Sequence, residues 1–198
     1  MNLLALCGRK FSGKSHIANW LDEAQVRIKG KRKELYPLVR SFATPLKDML
    51  AVLPIEDIDE RLYGSMKETP ENTVLGGKSM RHAMVTLGTE WGRVMINPDI
   101  WIDCMRAAVL KEENDDEDKR LFIIDDLRFE NEAALVKSLG GIIIAVRSDG
   151  EAEAGTHASE TLDIDQFYSL HNSKKDNQQE IFDTLSAVTP WSFSTNAN

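Results

Sequence analysis

Short, continuously apolar runs alternate along the chain with segments whose apolar residues recur every three or four positions. Leu3–Cys7 (LLALC) is the first run. An apolar stretch of that length with no polar face reads as a strand buried on both sides. Ile17, Trp20, Leu21 and Ala24 follow at helical spacing, so a helix is expected from about Lys14. Tyr36–Ala43 (YPLVRSFA) reads as a second strand, and Pro45 stands in the first turn of a helix over PLKDMLAVL. Between Pro54 and Gly77, charge, proline and glycine dominate, which gives loops and short helical pieces. Ser79 is placed to cap a helix over MRHAMVTLGTEWGRVM, in which Met80, Met84, Leu87, Trp91 and Val94 share a face. NPDIWIDCMRAAVLKEE has proline at its start, Asp in its first turn and Lys late, the order of a helix.

Leu121–Asp125 (LFIID) is the clearest buried strand. A helix over ENEAALVKSLGG, ended by a glycine pair, and a strand over Ile142–Val146 follow it. FYSLH reads as a final strand and QQEIFDTLSAV as a final helix. NDDED reads as an acidic surface loop and SDGEAEAGTHASE as a mobile one, while WSFSTNAN (191–198) shows no pattern and is expected to fray as a tail. Strands alternating with helices imply an α/β fold, with a largely parallel sheet covered on both faces. No segment repeats.

The 198 residues, 42% of them hydrophobic, suit one globular domain, expected over 1–190. The net charge of -8 disfavours nucleic acid as a partner, so an anionic ligand would need a local cluster of cations and backbone N–H groups. Cys7 and Cys104 are the only cysteines, too few and too far apart for a disulfide framework or a zinc set. No run approaches the ~20 apolar residues of a membrane span, and no signal-type segment opens the chain. A soluble cytoplasmic protein is the expectation. Lys29–Lys33 (KGKRK) is a solvated basic loop or a phosphate-attracting patch.

Gly8–Ser15 (GRKFSGKS) changes the picture most. It fits G-x-x-x-x-G-K-[ST], with a strand before it and a helix after it. A phosphate needs several N–H donors aimed at one spot, and a glycine-bearing loop at a helix N-terminus supplies them. Gly8, Lys10, Ser12, Gly13, Lys14, Ser15 and His16 are therefore the candidate ATP-binding set. Lys14 would reach the β- and γ-phosphates, and the Ser15 hydroxyl would ligate Mg²⁺. A switch GTPase is disfavoured, because D-x-x-G is absent and the nearest guanine-reading pattern, SKKD, lacks its Asn or Thr. A kinase of small metabolites fits the size. DDLR sets Asp125, Asp126 and Arg128 at the carboxyl end of a buried strand, the edge where open α/β sheets bind ligands. Asp126 is a candidate for the Mg²⁺ shell or for orienting an arginine, and Arg128 for charge on the transferred phosphoryl group. Glu132, a turn later, would orient Arg128, and turn or helix capping is the alternative for Asp125 and Glu132.

Taken in order behind that loop, FATPLKD, MRHAMVTLGTEWGR with PDIWI, IIDDLRFENE, GGIIIAVR, THASE and HNSKKD resemble the bacteriophage deoxynucleoside monophosphate kinases, over nearly the whole chain. The resemblance implies a three-layer P-loop NTP hydrolase fold of the nucleoside monophosphate kinase type, with a parallel five-stranded sheet and a small lid over about 148–162. It implies ATP- and Mg²⁺-dependent conversion of a dNMP to a dNDP, for nucleotide supply in phage DNA synthesis, and a homodimer. Residues of about 44–113 would form the acceptor side, where Phe42, Lys47, Arg81, Glu90, Trp91, Arg93 and Trp101 are candidates. Trp91 and Trp101 also fit core packing, and Glu90 a solvated helix face. Arg147 ends a strand just before the lid and is a candidate catalytic cation, all the more because SDGEAEAG lacks the arginines many lids carry. Ser159 and Glu160 would pin the closed lid or cap a short helix, and Asn172 would lie near adenine. Animal phosphomevalonate kinases carry a similar K-x-S-G-K loop and D-T-R-R strand end, so a kinase of another small monophosphate is an alternative, as is a nucleotide-binding regulator without turnover.

Overall fold

The computed structural model describes residues 1–9, 11–114, 120–148, 162–163, 166–173 and 177–195. In chain order the strands are β1 (Leu3–Cys7), β2 (Gln25–Ile28), β3 (Glu34–Arg40), β4 (Pro70–Glu71), β5 (Lys78–Ser79), β6 (Arg120–Leu127), β7 (Ile142–Ser148), β8 (Tyr168–Asn172) and β9 (Trp191–Ser194). The helices are α1 (Lys14–Asp22), α2 (Thr44–Ala51), α3 (Ile58–Leu62), a 3₁₀ turn (Ser65–Glu68), α4 (Met80–Val85), a π-helix (Thr86–Ile96), α5 (Ile100–Asn114), α6 (Glu130–Ser138) and α7 (Gln178–Val188). They form two compact units. The first is Met1–Ser41 with Arg106–Asn198, and the second is Phe42–Met105.

The first unit is a mixed α/β layer structure. Its sheet has seven strands in the order β8-β7-β1-β6-β3-β2-β9, not the five expected. β8, β7, β1, β6 and β3 run parallel, and β2 pairs antiparallel with both β3 and β9. The two added strands come from stretches that read differently in the sequence. α1 stops at Asp22, and Gln25–Ile28 then alternates polar and apolar, with Val26 buried opposite Leu35 and Phe193. WSFS is not a frayed tail. Trp191 and Phe193 are core residues, and Phe193 lies against Phe182 of α7 with ring centroids 6.1 Å apart. Four residues are too few for a period to be read, and β2 and β9, which pair with one another, lie far apart in the chain.

β1 is buried at every position, and its side chains divide between two cores. Leu4 and Leu6 join Ile17, Ala18 and Leu21 of α1 and Ile181, Phe182 and Leu185 of α7 on one face. Leu3 and Val136 of α6 meet at Gly141 on the other. Within KGKRK, Lys29 caps the end of α7, donating to the carbonyls of Ser186 and of Thr189 (2.8 Å).

The second unit has its own apolar cluster of Leu46, Leu50, Ile55, Leu62, Met80 and Trp101. Ser79 caps α4 as expected, its hydroxyl accepting the His82 N–H at 3.2 Å. Met84, Leu87 and Trp91 pack onto the cluster, but Val94 does not share their face and is 76% exposed. The reason is the winding. Past Thr86 the helix widens to i→i+5 bonds, which shifts later residues out of phase with an α-helical stripe. Glu71 anchors the preceding loop. Its carboxylate accepts the backbone N–H groups of Thr73 (2.9 Å), Val74 (2.8 Å) and Leu75 (2.8 Å) and the Thr73 hydroxyl. These donors, the Thr73 hydroxyl first, hold its pKa down at about 2 against a burial effect of opposite sign. A carboxylate with a depressed folded pKa contributes stability that is present above its unfolded pKa of 4.5 and lost as pH falls towards 2. Glu71→Gln is therefore expected to lower the melting temperature at neutral pH and to flatten its fall between pH 4.5 and 2, as read by circular dichroism. A wild-type acid limb in the variant would remove Glu71 from that role.

Among the described residues no helix is long and apolar enough to cross a membrane.

Candidate active site

β1 delivers the chain to the carboxyl edge of the parallel strands, between β6 and β7. The loop that follows is shaped by what its two glycines touch. A Cβ on Gly8, whose φ is 144°, would stand 2.3 Å from the Val146 carbonyl oxygen of β7. Gly13 is left-handed at φ 93° and ψ 14°, and stands at the N-cap of α1. A Cβ there would meet Asn172 Nδ2 at 2.0 Å. Only glycine fits either position. Phe11 also has a positive φ of 69°, which a side chain bears only under constraint. The turn between closes with Ser12 N–H on the Arg9 carbonyl at 3.2 Å, and Ser12 is fully buried.

Lys14 opens α1 and turns back over this loop. Its ammonium donates to the carbonyls of Gly8 (2.6 Å) and Arg9 (2.8 Å). The N–H groups of a first helical turn have no acceptor within the helix, and the helix dipole adds positive potential there. The loop thus gathers an ammonium and a helix N-terminus, which is the chemistry of an anion site. Ser15 is exposed in the first turn. His16 is exposed too, with its ring 4.2 Å from that of Trp20. Burial pushes the Cys7 thiol at the end of β1 up to about 12, against the opposing charges of Lys14 and Arg147.

β6 brings the acidic pair to the same edge with an irregularity. Ala5 of β1 pairs with Ile124, but Cys7 pairs with Leu127, so β6 spends one residue more than β1 over Asp125–Asp126. A bulge of this kind re-aims side chains that simple alternation would send to opposite faces. Arg128 follows, exposed, just beyond β6. Glu132 is 2% exposed, and its Oε2 accepts the backbone N–H groups of Arg128 (2.9 Å) and Phe129 (3.1 Å). It therefore holds Arg128 by the main chain, in the manner of a helix cap. On the other side of β1, Arg147 near the end of β7 donates from Nε to Ser169 Oγ at 3.1 Å. The first unit thus brings Gly8, Ser12, Gly13, Lys14, Ser15, His16, Asp126, Arg128, Glu132, Arg147 and Asn172 to one sheet edge. Asn172 spends its amide there on the Ser12 carbonyl, at 3.1 Å.

The acceptor-side candidates lie in or at the border of the second unit. Lys47 stands 4.5 Å above the ring of Tyr63, and Arg81 is paired with Glu68. Partial burial, then Asp48 and Asp59, push the Tyr63 phenol up. Glu90 is exposed, and Trp91 and Arg93 are half-buried. Phe42 and Trp101 are each 3% exposed. The Trp101 indole N–H donates to the Gly88 carbonyl at 2.7 Å, and a Cβ on Gly92 would stand 2.6 Å from the indole. The ring is sealed against the π-helix, so packing is the role this geometry describes. Lys10, Ser159, Glu160 and all but the ends of the 148–162 stretch lie outside the described residues. The sequence did not point to Tyr63 and Glu68, which hold Lys47 and Arg81. No period or motif links those pairs, and only the fold brings them together.

The glycine loop, the Lys14 ammonium and the helix N-terminus thus stand at the carboxyl edge of the parallel strands of a mixed α/β unit, with Arg128 just beyond β6 and Arg147 near the end of β7. The deoxynucleotide monophosphate kinase family model matches residues 66–166, just over half of the sequence, and the chain belongs to that family. The match leaves out the glycine loop, so loop and family are separate observations. A protein of Acanthamoeba polyphaga mimivirus named "Putative deoxynucleotide monophosphate kinase" is 28% identical over 209 aligned positions, covering 91% of this chain and all of that one.

Proposed function

We propose that the protein moves the γ-phosphoryl group of ATP to a deoxynucleoside monophosphate, and that its first unit is a P-loop domain of the nucleoside monophosphate kinase type. The observation that carries this reading is the loop itself: Gly13 left-handed at the start of α1, with Lys14 folded onto the Gly8 and Arg9 carbonyls, in a chain of this family. An arriving triphosphate gives that ammonium a stronger acceptor than two carbonyls.

An oxygen of the acceptor phosphate attacks the γ-phosphorus, the bond to the β–γ bridging oxygen breaks, and ADP leaves. The acceptor is already an anion, so no proton has to be removed from it. The protein's part is to orient the groups and to offset charge. Lys14 faces the donor phosphates, and Arg128 and Arg147 flank the loop from β6 and β7. Ser15 and Asp126 are the residues that would hold Mg²⁺, which supplies charge neutralisation on the phosphate oxygens. Two oxygen donors suit an ion that keeps much of its shell for phosphate and water. The second unit would take the dNMP, with Lys47 and Arg81 for its phosphate and the Glu90–Arg93 turn for its base. Arg81 would then exchange Glu68 for the ligand. The 148–162 stretch would be the lid, with Ser159 and Glu160 at its far end. Phage nucleotide supply, a cytoplasmic setting and a homodimer belong to the same proposal.

The deciding assay follows ADP release with ATP, Mg²⁺ and a panel of dNMPs, NMPs and phosphomevalonate. Turnover with one or more dNMPs is expected. Turnover with phosphomevalonate alone would replace the acceptor class, and ATP binding without turnover on any acceptor would leave a regulator.

A further inference from the structure

The phosphate loop is held at both of its glycines by neighbouring strand ends. Gly8 lies against the Val146 carbonyl of β7. Gly13 lies against Asn172, the last residue of β8, which is 4% exposed and pairs in register with Ser148 at the end of β7. The Asn172 amide does two things at once. Nδ2 donates to the Ser12 carbonyl at 3.1 Å, and the same nitrogen occupies the space a side chain on Gly13 would take. The peptide it holds, Ser12–Gly13, is the one that turns the chain into α1.

We propose that Asn172 is a positioning residue for donor binding: by fixing the Ser12–Gly13 peptide it sets the direction of the first-turn N–H groups of α1 and of Lys14 before any ligand arrives. The inference rests on the reading of this loop as the ATP phosphate site. Donors that are already aimed stabilise charge without reorganising when the ligand binds, which is the reason to hold the loop from outside. A lysine and a glycine loop alone would leave the Ser12 carbonyl free to rotate. The amide is suited to the task because it offers a neutral donor of fixed length.

The test compares Asn172→Asp with Asn172→Ala. Asp has almost the shape of Asn but sets a second acceptor against the Ser12 carbonyl, whereas Ala removes the side chain. A donor role predicts that Asp is at least as damaging as Ala, and a space-filling role predicts that Asp is nearly silent. Both variants are expected to raise KM for ATP about tenfold, the scale of a buried carbonyl losing its partner, with KM for the dNMP within about twofold of wild type. An Asp variant close to wild type beside an impaired Ala variant would overturn the proposal. So would a parallel rise in both KM values. Hydrogen exchange gives a second readout that needs no turnover. Amides of residues 11–17 are expected to exchange faster by about tenfold or more in Asn172→Ala, with residues 121–127 unchanged, and equal protection in wild type and variant would overturn the inference. If wild-type protein fails to turn over any acceptor, the kinase reading falls while the exchange result still decides the role of Asn172.

Discussion

Lys14→Ala is expected to lower kcat by about 10²- to 10³-fold or more, the loss seen when a preorganised charge donor is removed from a transition state. The fold should be untouched. The Lys14 ammonium bonds to the carbonyls of Gly8 and Arg9, and the part-exposed loop leaves water able to replace it. No apolar contact of the main core depends on it, since the α1 residues in that core are Ile17, Ala18 and Leu21. Turnover measured beside a thermal melt separates the two consequences. A wild-type rate in Lys14→Ala would mean that the loop is not the catalytic cradle, whatever the family. A collapse of the melting temperature would instead give the lysine a structural role at the loop carbonyls.

Trp101→Ala is expected to be the most damaging substitution to stability, by about 3–5 kcal/mol, as for other buried aromatic truncations. The indole fills the cluster of the second unit and closes against Gly92, and its N–H meets the Gly88 carbonyl. Trp101→Phe keeps most of the apolar volume and loses the donor, so a smaller loss of about 1–3 kcal/mol is expected. Chemical denaturation with the dNMP KM measured alongside reads both variants. If Trp101 instead served a base, Trp101→Phe would raise that KM and leave the denaturation midpoint where it was.

The sequence was most legible where a signal is local. The β1 run, the glycine loop and α1 lie within a few residues of one another, and the apolar runs of β6 and β7 and the stretches of α6 and α7 are long enough to read. Ser79 capped its helix because a cap is a three-residue event. Where the pattern misled, the deciding contacts lay outside the segment. Val26 falls just past the helical stripe that ends at Ala24, and it is a strand residue because Leu35 and the distant Phe193 stand on either side of it. Val94 fits a helical face only while the helix is α, and nothing in TLGTEWGRVMI announces the wider winding; its two glycines make sense once the Trp101 ring is seen against Gly92 and Leu46 against Gly88. The bulge at Asp125–Asp126 has the same character. DDLR names the residues, but the extra residue against β1 decides which way they are aimed.

The placing of β9 has a consequence for how the protein is made. The second unit is one unbroken stretch, Phe42–Met105, so every partner in its core has emerged from the ribosome together. The first unit is assembled from both flanks of that stretch. Trp191 reaches Asn2 across 189 positions of sequence, and Lys29 caps a helix whose final carbonyl partner lies 160 positions downstream. Synthesis at about 5–20 residues per second leaves β2 with one edge unpaired for roughly 8–30 seconds after it appears. An open edge next to apolar Val26 and Leu35 is a template for the wrong neighbour. During that interval the charged residues of β2 and of the loop after it, Arg27, Lys29, Lys31, Arg32 and Lys33, work against pairing with a wrong neighbour.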